Sequence, residues 1–160
     1  MNWYTVRIGD RQTKRQERSM PGPRVLVADD EPEVLAGLSR ALERVGYEVH
    51  TAANGLEATS LLRRLRFDAV VADWKMPVID GMNLLRFAKQ NCGQIVFVLI
   101  SAFATPDAVV EAMKCGSNHV LAKPFAPQEI VKVLRRELGN QRGIALPKAS
   151  LETQQADEPM

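Results

Sequence analysis

Five short apolar runs, each followed by a segment whose apolar residues recur at helical spacing, constrain this chain more than any other feature. Val25–Ala28 precedes Val34, Leu35, Leu38, Ala41, Leu42 and Val45. Tyr47, Val49 and Thr51, alternating with Glu48 and His50, precede Leu61, Leu62 and Leu65. Ala69–Ala72 precedes Met82, Leu84, Leu85 and Ala88. Ile95–Ile100 precedes a helix opened by Thr105-Pro106, and Val120–Ala122 precedes Gln128–Leu138. Such a pattern reads as strand then helix, repeated. The punctuation agrees. Pro32 and Pro106 suit first helical turns, Gly46, Gly116 and Gly139 suit helix stops, and Asn54 with Glu57 spells a capping box.

Repeated strand–helix units predict a parallel sheet with helices on both faces. The unbroken run Ile95–Ile100 predicts a strand buried on both sides, and the mixed second strand predicts an edge. Right-handed crossovers leave few topologies. The expected fold is α/β: a flavodoxin-like, doubly wound, five-stranded parallel sheet of order 2-1-3-4-5 with five helices. Pro21-Gly22-Pro23 is a stiff break before the first strand. The expected domain is 24–139, where acidic and basic residues balance, flanked by a flexible basic arm at 1–23 (net +3) and a flexible tail at 140–160 (net −1). Trp3–Val6 could form a short strand. The whole chain carries only +2, which disfavours nucleic acid as a partner. No apolar run approaches the ~20 residues of a membrane-spanning helix. Nor does the N-terminus look like a secretory signal. Cys92 and Cys115 make no metal pattern and read as reduced thiols, so a cytoplasmic location is expected.

In such sheets ligands bind beyond the carboxyl ends of the strands. Four of the five expected strands deliver polar groups there: Asp29 and Asp30, Asp73, Ser101, and Lys123. A lone Asp after a strand is usually a helix cap or a solvated loop residue. Three carboxylates on one rim are different, because unpaired buried charge is costly. Mg²⁺, which takes a few carboxylates plus water or phosphate oxygens, would relieve the repulsion, and Lys123 would neutralise the rest. His50 and His119 cluster with nothing and read as structural.

The motifs VLVADDEPEV at 25–34, VVADWKMPVIDG at 70–81, VLISAF at 98–103 and LAKPF at 121–125 resemble the receiver domain of bacterial response regulators. The resemblance implies that Asp73 accepts a phosphoryl group from a histidine kinase or phosphotransfer protein. It implies Mg²⁺ held by Asp29, Asp30, Asp73 and the backbone carbonyl of Lys75, with Lys123 and the Ser101 hydroxyl on phosphoryl oxygens. It also implies a cis bond at Lys123-Pro124. In the family an aromatic three residues before the lysine turns inward as the switch is thrown; here that position is Val120, which has no ring. Lys75 and Phe103 are expected to flank the path of a hydrolytic water. Neither can orient that water, so a long-lived phosphoryl group is expected.

The expected role is therefore a signalling receiver in a two-component or phosphorelay system, not an enzyme, acting by conformational change on a downstream protein, with phosphorylation-dependent homodimerisation open. A phosphohydrolase with an Asp nucleophile is disfavoured because Lys75 stands where such enzymes commonly place an acid. Two alternatives remain: a phosphorylation-independent binding module of the same fold, favoured only by Val120, and a fragment of a longer regulator. A DNA-binding role for the basic arm is a weaker reading, because so few charges usually make a solvated segment.

Overall fold

The computed structural model describes residues 22–141. The basic arm, Trp3–Val6 within it, and residues 142–160 of the tail lie outside the described residues.

Five strands alternate with five helices: β1 (Arg24–Ala28), α1 (Pro32–Arg44), β2 (Glu48–Ala52), α2 (Gly55–Arg64), β3 (Ala69–Asp73), α3 (Gly81–Asn91), β4 (Val96–Ser101), α4 (Pro106–Lys114), β5 (His119–Ala122) and α5 (Pro127–Gln141). All pairings are parallel and the order is β2-β1-β3-β4-β5. The mixed strand β2 lies at the edge, and every residue of β4 is buried.

Alternation along the strands divides the core. Val25, Val27, Ala69, Val71, Val96, Val98 and Ile100 face one side, against Leu38 and Leu42 of α1 and Ile130, Val133 and Leu134 of α5. Leu26, Val70, Ala72, Phe97 and Leu99 face the other, against Leu62 of α2 and Leu84, Leu85 and Ala88 of α3. Each fully buried Leu, Ile or Phe contributes roughly 1.5–3 kcal/mol relative to exposure. Helix α4 is the exception, since Ala112 is its one buried residue.

The helix ends follow local chemistry. Asn54 Oδ1 accepts from Glu57 N–H at 2.7 Å, while Glu57 Oε1 reaches back to Ala53 N–H, one residue before the cap. Thr105 caps α4 with Pro106 in its first turn. Helix α1 ends at a left-handed glycine, Gly46: its N–H donates to Glu43 O and that of Tyr47 to Leu42 O. This is the pairing that satisfies a helix's last carbonyls. Gly139 does not stop α5, which continues to Gln141. A helical glycine costs about 1 kcal/mol against Ala, less than the buried Leu134 and Leu138 return to the same helix. The Lys123-Pro124 bond is cis.

Candidate phosphoacceptor and metal site

The sheet register builds the site. Asp73 pairs with Ile100 at the end of β3, and Ser101 pairs with Ala122 at the end of β4. One further bond extends each of three of the four ladders: Asp29 N–H to Ala52 O, Trp74 N–H to Ile100 O, and Lys123 N–H to Ser101 O. Chain direction and register thus bring Asp29, Asp73, Ser101 and Lys123 to one rim.

One carboxylate oxygen from each of Asp29, Asp30 and Asp73 lies within 4.8 Å of the others. Asp29 is 1% exposed and Asp73 6%, whereas Asp30 is open to solvent. Lys123 Nζ stands 3.3 Å from Asp73 Oδ2, 3.8 Å from Asp29 Oδ2 and 3.3 Å from Glu31 Oε1. Asp29 Oδ1 accepts from the Glu31 N–H at 2.9 Å, but its Oδ2 is buried without a hydrogen-bond partner. Burial pushes the Asp29 carboxyl up to about 6, the Glu31 amide pulls it back, and the charge of Asp73 adds to the rise. Burial also raises Asp73, against the pull of Lys123. Burial alone would lower Lys123; the carboxylates around it outweigh that and hold its ammonium above the usual range.

One lysine facing this many carboxylates leaves the pocket acidic. The orphaned Asp29 Oδ2 and the convergence of three carboxylates fit a hard divalent cation with oxygen ligands, as Mg²⁺ requires.

Two glycines admit the surrounding loop. A Cβ on Gly81 would lie 2.5 Å from the Asp73 carbonyl oxygen and 2.8 Å from Leu99, so α3 starts against the end of β3 only because the side chain is absent. Gly55 is tighter still, against the Ile79 carbonyl. Between them Val78 has φ 71° and Ile79 N–H donates to Pro77 O, a γ-turn geometry rare for a β-branched residue. Asp80 closes the loop by accepting from Asn83 N–H at 2.8 Å, capping α3.

The Ser101 hydroxyl accepts from Phe103 N–H at 3.0 Å. Phe103 is 66% exposed, and Lys75 Nζ sits 4.6 Å from the centre of its ring. Val120 is half-buried and packs on the core. His50 contacts Glu48, which also binds Arg24, and meets the edge of the Phe67 ring; it lies on β2 in a structural network.

Sequence reasoning thus brought together Asp29, Asp30, Asp73 and Lys123, with Ser101 and Lys123 linked through their backbones. It missed Glu31, which shares Lys123. The signal was present: Glu31 is the third acid in a row and immediately precedes Pro32, so it starts the helix beside the pocket. It also missed Asp80, which caps α3.

A doubly wound sheet whose switch-point rim carries buried carboxylates beside a lysine defines a class of acidic, metal-competent α/β domains. The particular family is shown by comparison: residues 25–135 match the response regulator receiver domain. This chain belongs to that family. The transcriptional regulatory protein PrrA of Mycobacterium tuberculosis is 36% identical over 127 residues, covering 78% of this chain and 54% of PrrA. The regulatory protein AtoC of Escherichia coli is 34% identical, covering 72% of this chain and 25% of AtoC. This chain therefore spans about half the length of PrrA and less of AtoC. Among solved structures, the receiver domain of the Francisella response regulator 1452 aligns with TM-score 0.69 and 32% identity over 76% of this chain and 99% of that one. The chemotaxis response regulator CheY4 of Vibrio cholerae aligns with TM-score 0.67 and 31% identity over 71% and 97%. The fold is thus that of receiver domains, which are signalling modules rather than conventional enzymes. Among the described residues, no helix is long and apolar enough to cross a membrane.

Proposed function

We propose that this domain accepts a phosphoryl group on Asp73 from a phosphohistidine of a kinase or phosphotransfer protein. One observation carries the reading: Asp73 is nearly buried at the end of β3, yet lies 3.3 Å from Lys123 and converges with Asp29 and Asp30. An Asp73 carboxylate oxygen attacks phosphorus, the O–P bond forms, and the donor's N–P bond breaks. The electron pair stays on the ring nitrogen; with the other ring nitrogen protonated, the imidazole leaves neutral. Phosphoryl transfer rewards positioning and charge neutralisation above covalent assistance. Lys123 donates to a phosphoryl oxygen, and the Ser101 hydroxyl donates to another. Asp29, Asp30, Asp73 and the Lys75 carbonyl would hold Mg²⁺. When bound, the ion supplies positive charge to the carboxylates and the phosphoryl oxygens.

The partners are a histidine kinase or phosphotransfer protein upstream and a protein target downstream, in the cytoplasm; a phosphorylated homodimer is one form the output can take. A domain division at 24–139 is consistent with the span of described strands and helices, α5 running two residues further. The missing ring at Val120 favours one second reading, a binding module of this fold that works without phosphate. The test is labelling by acetyl phosphate in Mg²⁺, read as mass gain on the intact protein. Wild type should gain one phosphoryl group and Asp73→Asn none. Equal labelling of the variant refutes the assignment, and an unlabelled wild type favours the second reading.

A further inference from the structure

Val120 cannot swing an aromatic ring between pockets, so a phosphorylated Asp73 needs another side chain to carry its state to the surface. One aromatic is tied to the pocket at two points. The Phe103 backbone N–H donates to Ser101 Oγ at 3.0 Å, and the Phe103 ring lies under the Lys75 ammonium at 4.6 Å. Ser101 ends β4 on the rim, and Lys75 follows Asp73 by two residues. Phe103 is also among the most exposed large apolar side chains of the described residues.

We propose that the Lys75–Phe103 pair is a phosphate-responsive latch, in which phosphorylation of Asp73 draws Lys75 away and frees the Phe103 ring for a partner to read. The proposal rests on the phosphoacceptor reading of Asp73. In the structure described, Asp73 is paired with Lys123, and the Lys75 ammonium has the ring for company. An ammonium on an exposed ring is weakly held. A phosphoryl group replaces one carboxylate charge with a more strongly charged set of oxygens, which compete better for a nearby ammonium through charge-assisted hydrogen bonds. The same oxygens accept the Ser101 O–H and draw that hydroxyl toward Asp73, shifting the oxygen on which the Phe103 amide rests. Both ties to Phe103 are thus addressed by one chemical event, and Val120 need not move.

The latch is tested by ¹⁹F NMR of the whole chain carrying 4-fluorophenylalanine at its five phenylalanines. Loss of one signal in Phe103→Leu assigns the resonance. Spectra are taken in Mg²⁺ alone and after acetyl phosphate, with intact mass confirming one phosphoryl group. The Phe103 signal should move toward that of free 4-fluorophenylalanine on phosphorylation. In Lys75→Met, which keeps the stem and removes the charge, it should already lie there before phosphorylation. A phosphorylated wild type with an unmoved Phe103 signal overturns the latch and leaves the phosphoacceptor reading intact. So does an unphosphorylated Lys75→Met whose Phe103 signal matches wild type. A chain that gains no phosphoryl group removes the functional reading, and the latch with it.

Discussion

Replacing Asp29 by Asn should make the metal-free domain more stable at neutral pH. Asp29 is buried, its Oδ2 has no hydrogen-bond partner, and its carboxyl is pushed up to about 6 from 3.8. A group that binds its proton more tightly in the folded state loses stability as pH rises. The loss begins near the unfolded value of 3.8 and is complete above about 6. That shift of roughly 2 units corresponds to about 3 kcal/mol at pH 7. Asn keeps the side-chain acceptor for the Glu31 N–H and removes the charge. It also takes one partner 3.8 Å from Lys123, which retains Asp73 and Glu31. The expected net gain is therefore about 1–3 kcal/mol at pH 7, shrinking toward zero near pH 4. Urea unfolding in EDTA, for both proteins at pH 4, 5, 6 and 7 (roughly the span over which the carboxyl titrates), measures it. Excess Mg²⁺ should narrow the gap by binding the native wild type. A wild type as stable as the variant at pH 7 in EDTA, or a gap independent of pH, would refute the idea that burial of this charge is what the pocket costs the fold.

Asp30→Ala, at the exposed member of the acidic cluster, should weaken Mg²⁺ binding at least roughly tenfold, ~1.4 kcal/mol, without unfolding the protein; an unchanged midpoint in a Trp fluorescence titration would remove Asp30 from the ligand set. Val78→Gly should raise the unfolding free energy by up to about 1 kcal/mol, because relief of the left-handed β-branched residue exceeds the added freedom of the unfolded chain. With Val78 82% exposed, little packing is lost; a clear drop in stability would show the strain argument to be wrong. Lys75→Asn should speed loss of the phosphoryl group in excess Mg²⁺ by roughly tenfold, ~1.4 kcal/mol of barrier, since the ammonium that holds it is gone. Decay at the wild-type rate would place Lys75 outside the phosphorylated site.

The parallel topology was legible because each crossover carries its own periodic signal, and the edge position of β2 because Glu48 and His50 interrupt its apolar pattern. The acidic rim was legible for a related reason: a parallel sheet sends the residue after each strand to the same side. What remained hidden was set by contacts between distant segments. Glu31 reaches Lys123 across 92 positions of sequence. The ring of Phe103 meets the ammonium of Lys75 only because β3 and β4 are neighbours. The left-handed Val78 was equally hidden, because nothing local favours it; Gly81 lets the end of that loop close against Asp73 and Trp74, and Gly55 at the start of α2 lets Ile79 pack in, neither with room for a Cβ. Gly139 misled because a glycine stops a helix when the chain has reason to leave, and the buried Leu138 beside it gives α5 reason to continue.

Helix α4 has a consequence of its own. Four helices are bolted to the sheet by two or more buried residues, while in α4 only Ala112 is fully buried, with Ala108 and Val109 half-buried. Displacing it forfeits little buried apolar area, whereas a comparable shift of α5 would expose Ile130 and Leu134. The molecule can therefore remodel the surface between β4 and β5 at a small fraction of its folding free energy. Amides of α4 should exchange with solvent by local opening, well before those of α5, whose release would expose Ile130, Val133, Leu134 and Leu138.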